Sequence, residues 1–426
     1  MQLRILLFSL LFAGMAYAQQ PAPVKVLTEK EVNFLFNYYE QDGNHSPVTG
    51  GIGTEKLECS TPLTVVHVPF DTIHSLTLSF GVDYYTSASC NRIDRFISSA
   101  SSKYLSSASG KDLRTHVDLD YSRKNLRKFS SVGGFAGYSN EFDVNSFSLG
   151  YHYNRSFNNE NTDLGLKASV FYDRWKLIYP GEIRNGDEYR YGNDEDDYDQ
   201  DGRTTGTLSF TWSQVLTRKF QFAFHTDLVY QNGILNTPFH RVYFDDGLNI
   251  LNPDTNPLLA IKTMYPESLP RTRFKVPLGL RAVYYLTDHL VARAYYRYYF
   301  DDFGIRSHTV SFELPVKVGS WLMVYPHYRF YRQNAVTWFA PFGEHPLNDQ
   351  FTPLNPYYTS DYDLSAFTMH KYGLGARISP VFGIWRKKIG GKQELTFKYI
   401  DLRYARYQRS DGFKAGTISI DAGFVF

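Results

Sequence analysis

The residues with most chemistry to offer lie between the regular stretches of the chain. Residues 194–202 read Asp-Glu-Asp-Asp-Tyr-Asp-Gln-Asp-Gly. Asp197, Asp199 and Asp201 alternate and are followed by Gly202, and a tight loop can wrap oxygens around Ca²⁺ in this way. The bidentate Glu of an EF-hand would fall at Leu208, so that motif is excluded. A solvated acidic loop needs no metal and is the simpler reading.

A second group is spread over two distant stretches. Thr237 to Phe244 carries His240 and Arg241; Gly343-Glu344-His345 and Thr359 to Asp363 add Glu344, His345, Asp361 and Asp363. Imidazole and carboxylate together could ligate a metal or hold a ligand. No spacing matches a known metal motif, and loops that pack and hydrogen-bond against one another account for the same residues. Cys59 and Cys90 are the chain's two cysteines. In an exported, oxidising setting a disulfide between them is expected, tying adjacent strand ends together, with two unrelated thiols as the alternative. No P-loop, G-x-S-x-G, H-E-x-x-H or C-x-x-C appears, so an enzyme is not expected.

The elements that must carry these loops have a period of two. Phe274, Val276, Leu278, Leu280, Ala282 and Tyr284 share one parity, with Lys275, Gly279 and Arg281 on the other. The same alternation returns at 289–302, 306–317 and 320–333. Successive side chains of a strand leave opposite faces, so each run has one apolar and one polar face. Runs of about a dozen residues exceed the usual soluble strand of about five or six and suffice to cross hydrocarbon at a tilt. Strands are expected at 31–41, 62–70, 75–86, 114–122, 128–139, 143–156, 163–175, 204–216, 219–230, 271–286, 289–302, 306–317, 320–333, 365–378, 393–408 and 413–426.

The connections sort by length. The long ones, at 42–61, 87–113, 176–203, 231–270 and 334–364, all follow odd-numbered strands. Even-numbered connections are tight, as at Thr217-Arg218, Thr287-Asp288 and Val318-Gly319, with 379–392 as the exception. This is the pattern of an up-and-down transmembrane β-barrel, with long extracellular loops and short periplasmic turns. The fold class is therefore all-β, an antiparallel barrel of about sixteen strands, between about 14 and 18. Aromatics make up 17% of the chain while hydrophobic residues in total reach 43%, which suits a wall that needs no continuous apolar run. A formal net charge of +2 gives no case for nucleic acid.

The N-terminus fits export. Arg4, the apolar run Ile5 to Ala13 and Ala16-Tyr17-Ala18 read as a signal peptide over 1–18, followed by a short periplasmic segment at 19–30 and the barrel domain at 31–426. The last run alternates Ile418, Ile420, Ala422, Phe424 and Phe426 with Thr417, Ser419 and Asp421, the form of closing strand that barrel-assembly machinery recognises. Ser98 to Gly110 reads as a Ser-rich loop tip. The inward parity would present Asp118, Asp120, Lys167, Asp173, Asp227, Arg281, Arg293, Arg297, Glu313, Arg329, Arg377, Arg403 and Asp421 to the lumen. Such a row can set ion selectivity. Bracing of the wall by mutual salt bridges is the simpler reading.

Several loop motifs carry a family resemblance. Asp42 to Ser46, Thr49 to Glu55, Gly81 to Tyr85, Thr237 to Phe244, Tyr295 to Tyr299, Phe303-Gly304-Ile305, Gly343 to His345 and Thr359 to Ser365 resemble the family catalogued as domain of unknown function 3570. The resemblance implies an outer-membrane barrel of Bacteroidota, with genes nearby for a small lipoprotein, a thioredoxin-like protein and a flavin transferase. It carries over no site residue. The expected location is the outer membrane of a Gram-negative bacterium, in contact with its lipid. The expected role is porin-like or ligand-specific passage of small solutes or ions. The alternatives are a non-conducting scaffold for a periplasmic lipoprotein or thioredoxin-like partner in extracytoplasmic redox or flavin handling, and a surface binding protein.

Overall fold

A computed structural model describes residues 29–85, 112–179, 198–247, 263–390 and 393–426. The expected signal peptide, the Ser-rich tract 98–110, Cys90 and Asp197 lie outside the described residues. The described chain forms a closed, antiparallel, sixteen-strand barrel. Consecutive strands pair around the wall from Glu31–Asp42 to Lys414–Val425, and those two pair with each other. Apart from the strand Arg306–Glu313, of 8 residues, wall strands run from 11 residues, at Ser130–Asn140, to 18, at Gln200–Thr217, and meet the length needed to cross a bilayer at a tilt.

The closing seam has two chemically different sides. Outside, Phe34 meets Phe424 edge to face at 5.7 Å, and Phe397 stacks on Phe424 at 4.7 Å. Inside, the Thr417 and Ser419 hydroxyls donate to Asn37 Oδ1 at 2.8 and 2.7 Å. Tyr399 donates to Asn33 Oδ1 at 3.2 Å. The alternation in the sequence thus becomes an apolar exterior and a hydrogen-bonded interior.

All around the wall the outward parity is apolar and uncovered by protein. Phe80, Leu119, Phe147, Leu149, Val170, Leu208, Leu228, Leu280, Phe312, Leu374 and Ile418 are exposed, Leu149 to 68%. A patch of this extent is far beyond what a soluble monomer exposes, and hydrocarbon is the solvent it suits.

The inner wall is built around small residues facing large flat ones. The rings of His116, His152, His225 and His327 lie over Gly81, Gly133, Gly279 and Gly373 of the adjacent strands; a Cβ on those glycines would sit 2.1–2.4 Å from the nearest ring atom. Phe135, Tyr325 and Tyr399 lie over Gly150, Gly375 and Gly423 in the same way. The ring fills the space the glycine leaves and lets the wall curve.

Three expectations about the strands need correction. The run 306–317 is two segments, Arg306–Glu313 and Val316–Lys317, because Pro315 has no N–H to donate at that point of the ladder. The connection 379–392 is not simply a long turn: Trp385–Gly390 pairs with the start of Gln393–Arg409, the two separated from Phe367–Ile378 by a turn in which Gly383 has a φ of +80°. The second strand starts at Leu57 rather than 62, since Pro62 lies inside it without ending it.

The strand ends that the long connections join all lie at one end of the barrel, and the turns 70–73, 126–129, 158–161, 218–219, 286–290 and 318–321 all lie at the other. On the wall, Leu149→Arg is expected to destabilise the folded protein in lipid vesicles by about 2–4 kcal/mol, as a guanidinium at mid-wall facing hydrocarbon should. Ser148→Arg, one residue along and facing inward, is expected to cost markedly less. Equal costs in a urea-unfolding titration would contradict the assignment of faces.

Candidate functional site

The candidate site is the loop-bearing mouth and the inner wall beneath it. Three connections, 43–56, 234–271 and 334–366, fold against one another there. Arg241–Asp245 pairs antiparallel with Met264–Pro266 and parallel with His345–Pro346. Val242, Phe244 and Tyr358 form a buried cluster with Tyr265 and Leu347. Leu269, Phe303, Ile305 and Val336 form another, covered by Trp338 and Phe339. The loops therefore have a core of their own.

Short polar links join this core to the first loop. Buried Arg241 donates through Nη1 to the Val48 carbonyl at 2.6 Å. His45 stacks on Tyr362 with ring centroids 3.8 Å apart. Gly50 and Gly51 adopt φ of +82° and +89°, and a Cβ on either would strike the Tyr243 ring or the Ser360 carbonyl. Only glycine permits both that backbone and that approach.

Inward-facing wall residues anchor the loops to the luminal side of the rim. Gln333 Nε2 donates to the carbonyls of Asp363 and Ser365 at 2.9 and 2.6 Å. Arg409 donates to Asp363 Oδ1 at 2.5 Å, to the Tyr362 carbonyl at 2.8 Å and to Asp411. Gln41 donates to the Glu55 carbonyl at 2.8 Å.

At the centre of the folded mouth His240, Glu267 and Asp361 converge, with their ligand-capable atoms within 4.8 Å of one another. His240 is 7% exposed and Glu267 4%. His240 Nδ1 lies 3.6 Å from Glu267 Oε2, a charge contact too long for a hydrogen bond, and is otherwise unpartnered. Glu267 is held firmly. Its Oε2 accepts from the Thr237 backbone N–H at 3.0 Å, its Oε1 accepts from the Thr359 hydroxyl, and its own N–H donates to the His240 carbonyl at 3.0 Å. Asp361 Oδ1 accepts from the Asp363 N–H at 2.9 Å. Burial, then the charge of Asp363, pushes the Asp361 carboxyl up to about 6. Burial disfavours charge on His240, but the carboxylates of Glu267, Asp361 and Asp363 outweigh it and raise its pKa.

The sequence expectations for the mouth divide accordingly. His240 and Asp361 meet as a possible ligand pair would. Arg241, Glu344, His345 and Asp363 do not join them: Arg241 serves Val48, His345 Nε2 faces the Thr359 carbonyl at 3.1 Å, Asp363 serves Arg409, and Glu344 is exposed. The third member, Glu267, was not expected. It sits on the return arm of the loop, 27 positions from His240, in no motif.

Residues 194–197 of the acidic loop lie outside the described residues. Asp201 is engaged by Arg271 through two bonds of 2.7 and 2.9 Å, and Asp199 is exposed. Cys59 is buried opposite Tyr85 and is disulfide-bonded; Cys90 lies outside the described residues.

The luminal charges are only partly self-satisfied. Arg293 pairs with Glu313 at 2.6 Å. Asp401 collects Arg403 at 3.0 Å, Arg377 at 3.9 Å and the Tyr325 hydroxyl, and Asp421 accepts from Tyr399 at 3.2 Å. Asp173, fully buried, binds Arg203 at 2.8 Å and Ser146 at 2.6 Å. Asp227 faces inward opposite Ser209. Arg281, Arg297, Arg329 and Lys371 form no ion pair among the described residues; Arg329 Nε donates instead to Ser311 at 2.9 Å. Three of these cations share one register line across five strands: Arg281 opposite Tyr295, Tyr295 opposite Ser311, Ser311 opposite Arg329, Arg329 opposite Lys371. Arg297 stands two residues further along Tyr295's strand. Elsewhere on the wall Asp118 and Asp120 face inward beside His116 and His152, at 3.8 and 3.1 Å, the second without hydrogen-bond alignment.

The family described as "Protein of unknown function (DUF3570)" matches residues 98–386. No curated protein matches the chain. Among solved structures, a bacterial polysaccharide outer membrane secretin is 9% identical with a TM-score of 0.47, covering 94% of this chain and 100% of its own. A FadL homologue of Pseudomonas aeruginosa is 12% identical with a TM-score of 0.38, covering 93% and 90%. OmpT of Vibrio cholerae is 10% identical with a TM-score of 0.37, covering 95% and 99%. These likenesses are of general form and transfer no activity.

Arg409→Ala should loosen the loop 334–366, because it strips a buried guanidinium from Asp411 and Asp363 at a cost on the order of 3 kcal/mol. Limited proteolysis of the folded protein is expected to cut that loop at least about tenfold faster, following the equilibrium population of the open form. Cleavage at the wild-type rate would contradict the anchoring role.

Proposed function

The chain belongs to the DUF3570 family, and from its own geometry we propose an outer-membrane barrel of a Gram-negative bacterium that passes small anionic or polar solutes. The observation that carries this reading is the unpaired cationic row of Arg281, Arg329 and Lys371, with Arg297 beside it, on the inward face of a sixteen-strand wall. A barrel of this strand number can enclose an aqueous lumen. Charges kept without counter-charges cost stability unless water or a passing ion solvates them, so their use is better sought in solute than in structure. The opposing Asp118 and Asp120 give the lumen a transverse field that would orient dipolar solutes.

A second reading is favoured by the packed core of the loops. In it the mouth is closed, and the barrel serves as a scaffold for a periplasmic lipoprotein or thioredoxin-like partner. The two readings separate in a planar bilayer. Purified wild-type protein is expected to give discrete conductance steps with a reversal potential favouring anions, and Arg281→Glu with Arg329→Glu is expected to move that potential toward cations. If neither the wild type nor the loosened Arg409→Ala variant conducts, passage is wrong and the scaffold reading stands. Conductance with unchanged ion preference in the double variant would remove the cationic row from the account.

A further inference from the structure

We propose that His240, Glu267 and Asp361 form a site for a divalent transition-metal ion of the zinc or manganese class, which clips the two longest described mouth loops together. The donors are one imidazole nitrogen and two carboxylates, a set suited to such ions, leaving outer positions for water or a ligand. They come from three separate segments: the outgoing arm of the connection 234–271, its return arm, and the connection 334–366. A shared ion would therefore join backbone that nothing covalent joins nearby.

Three observations point to an ion rather than to an incidental acidic patch. First, His240 Nδ1 is buried, has no hydrogen-bond partner, and faces the carboxylate of Glu267. A buried nitrogen without a partner is uncommon, because it forfeits its hydration for nothing. Second, Glu267 has the support that ligating carboxylates usually have: one oxygen takes a backbone N–H and the other a hydroxyl, so its orientation is settled before any ion arrives. Third, the charge is unbalanced. Two carboxylates beside a single imidazole leave net negative charge in a space with little water, whether or not the imidazole carries a proton. One divalent cation would cancel that charge. Ligand distances of about 2.0–2.2 Å place donors roughly 3–4 Å apart, so the present spacing closes onto an ion with side-chain shifts of less than about 1 Å.

The proposal does not depend on whether the lumen conducts, and its test needs no conductance. Detergent-folded full-length protein would be stripped with EDTA, dialysed, and titrated with Zn²⁺ and, separately, Mn²⁺ by calorimetry. One equivalent of at least one of the two is expected to bind, and the zinc form should show an all-nitrogen-and-oxygen shell with a single imidazole by X-ray absorption. Glu267→Gln and Asp361→Asn are expected to weaken binding at least about a hundredfold, and exposed Glu344→Gln to leave it unchanged. Heat-modifiable migration in gels would verify that each variant keeps its barrel. The wild-type stoichiometry and shell stand as tests even if a variant fails to fold. Absence of binding of both ions, a sulfur in the shell, or equal affinity in the folded Glu267→Gln and Asp361→Asn variants would overturn the proposal.

Discussion

Inside hydrocarbon a peptide group has no water to turn to, so each N–H and C=O must find a partner within the protein. A sheet can meet that demand only by having no edge. Here the demand falls on the seam between Glu31–Asp42 and Lys414–Val425, where residues from the two ends of the chain pair over twelve positions in unbroken register. Register has a period of two, so a slip of one residue would turn every side chain of a strand to the wrong solvent. The aromatic contacts outside the seam and the Asn37 hydrogen bonds inside it both belong to a single register, and that register holds the remaining strands in phase.

Once the wall is closed, its interior becomes a place where polarity is affordable and shape is constrained. Flat rings over glycines fill the inner surface without crowding it. Ion pairs such as Arg293–Glu313 and Asp173–Arg203 tie neighbouring strands, while the register line through Arg281, Arg329 and Lys371 leaves its charges to the lumen. At the mouth the logic reverses. The loops leave the wall, build small apolar cores of their own, and are drawn back by Gln41, Gln333 and Arg409. The buried cluster at His240 lies where those loops meet, and it depends on contacts such as Thr359 to Glu267, 92 positions apart.

The parts of this structure that depend on local periodicity could be read from the chain. Alternation located all sixteen wall strands, and the clustering of long connections on one side gave the direction of each. What escaped was whatever alternation does not encode. Trp385–Gly390 places Arg386, Lys387 and Lys388 in succession, so no period of two is visible, and its pairing comes from the neighbour it faces. Pro315 interrupts a strand whose side-chain pattern runs on past it. In the mouth, the residue types of His240 and Asp361 mark them as candidates, but Glu267 reaches them only through the fold of the loop, and His345 and Glu344, equally suited by chemistry, are turned elsewhere. The histidines over glycines had a local signal in hindsight, a luminal-parity His facing a luminal-parity Gly across the ladder, but it is visible only once register is known.

A lipid-facing exterior and a polar lumen both require alternate side chains of a wall strand to point in opposite directions. Nitroxide labels placed one at a time from Ser146 to Tyr151, in protein reconstituted into lipid vesicles, would report that orientation through their collision rates with dissolved oxygen and with a water-soluble nickel complex. Oxygen accessibility should peak at Phe147, Leu149 and Tyr151 and nickel accessibility should be higher at Ser148 and Gly150, giving two curves of period two in opposite phase. Accessibilities that vary smoothly along the strand, or that follow the reverse phase, would contradict a lipid-facing exterior and a polar lumen.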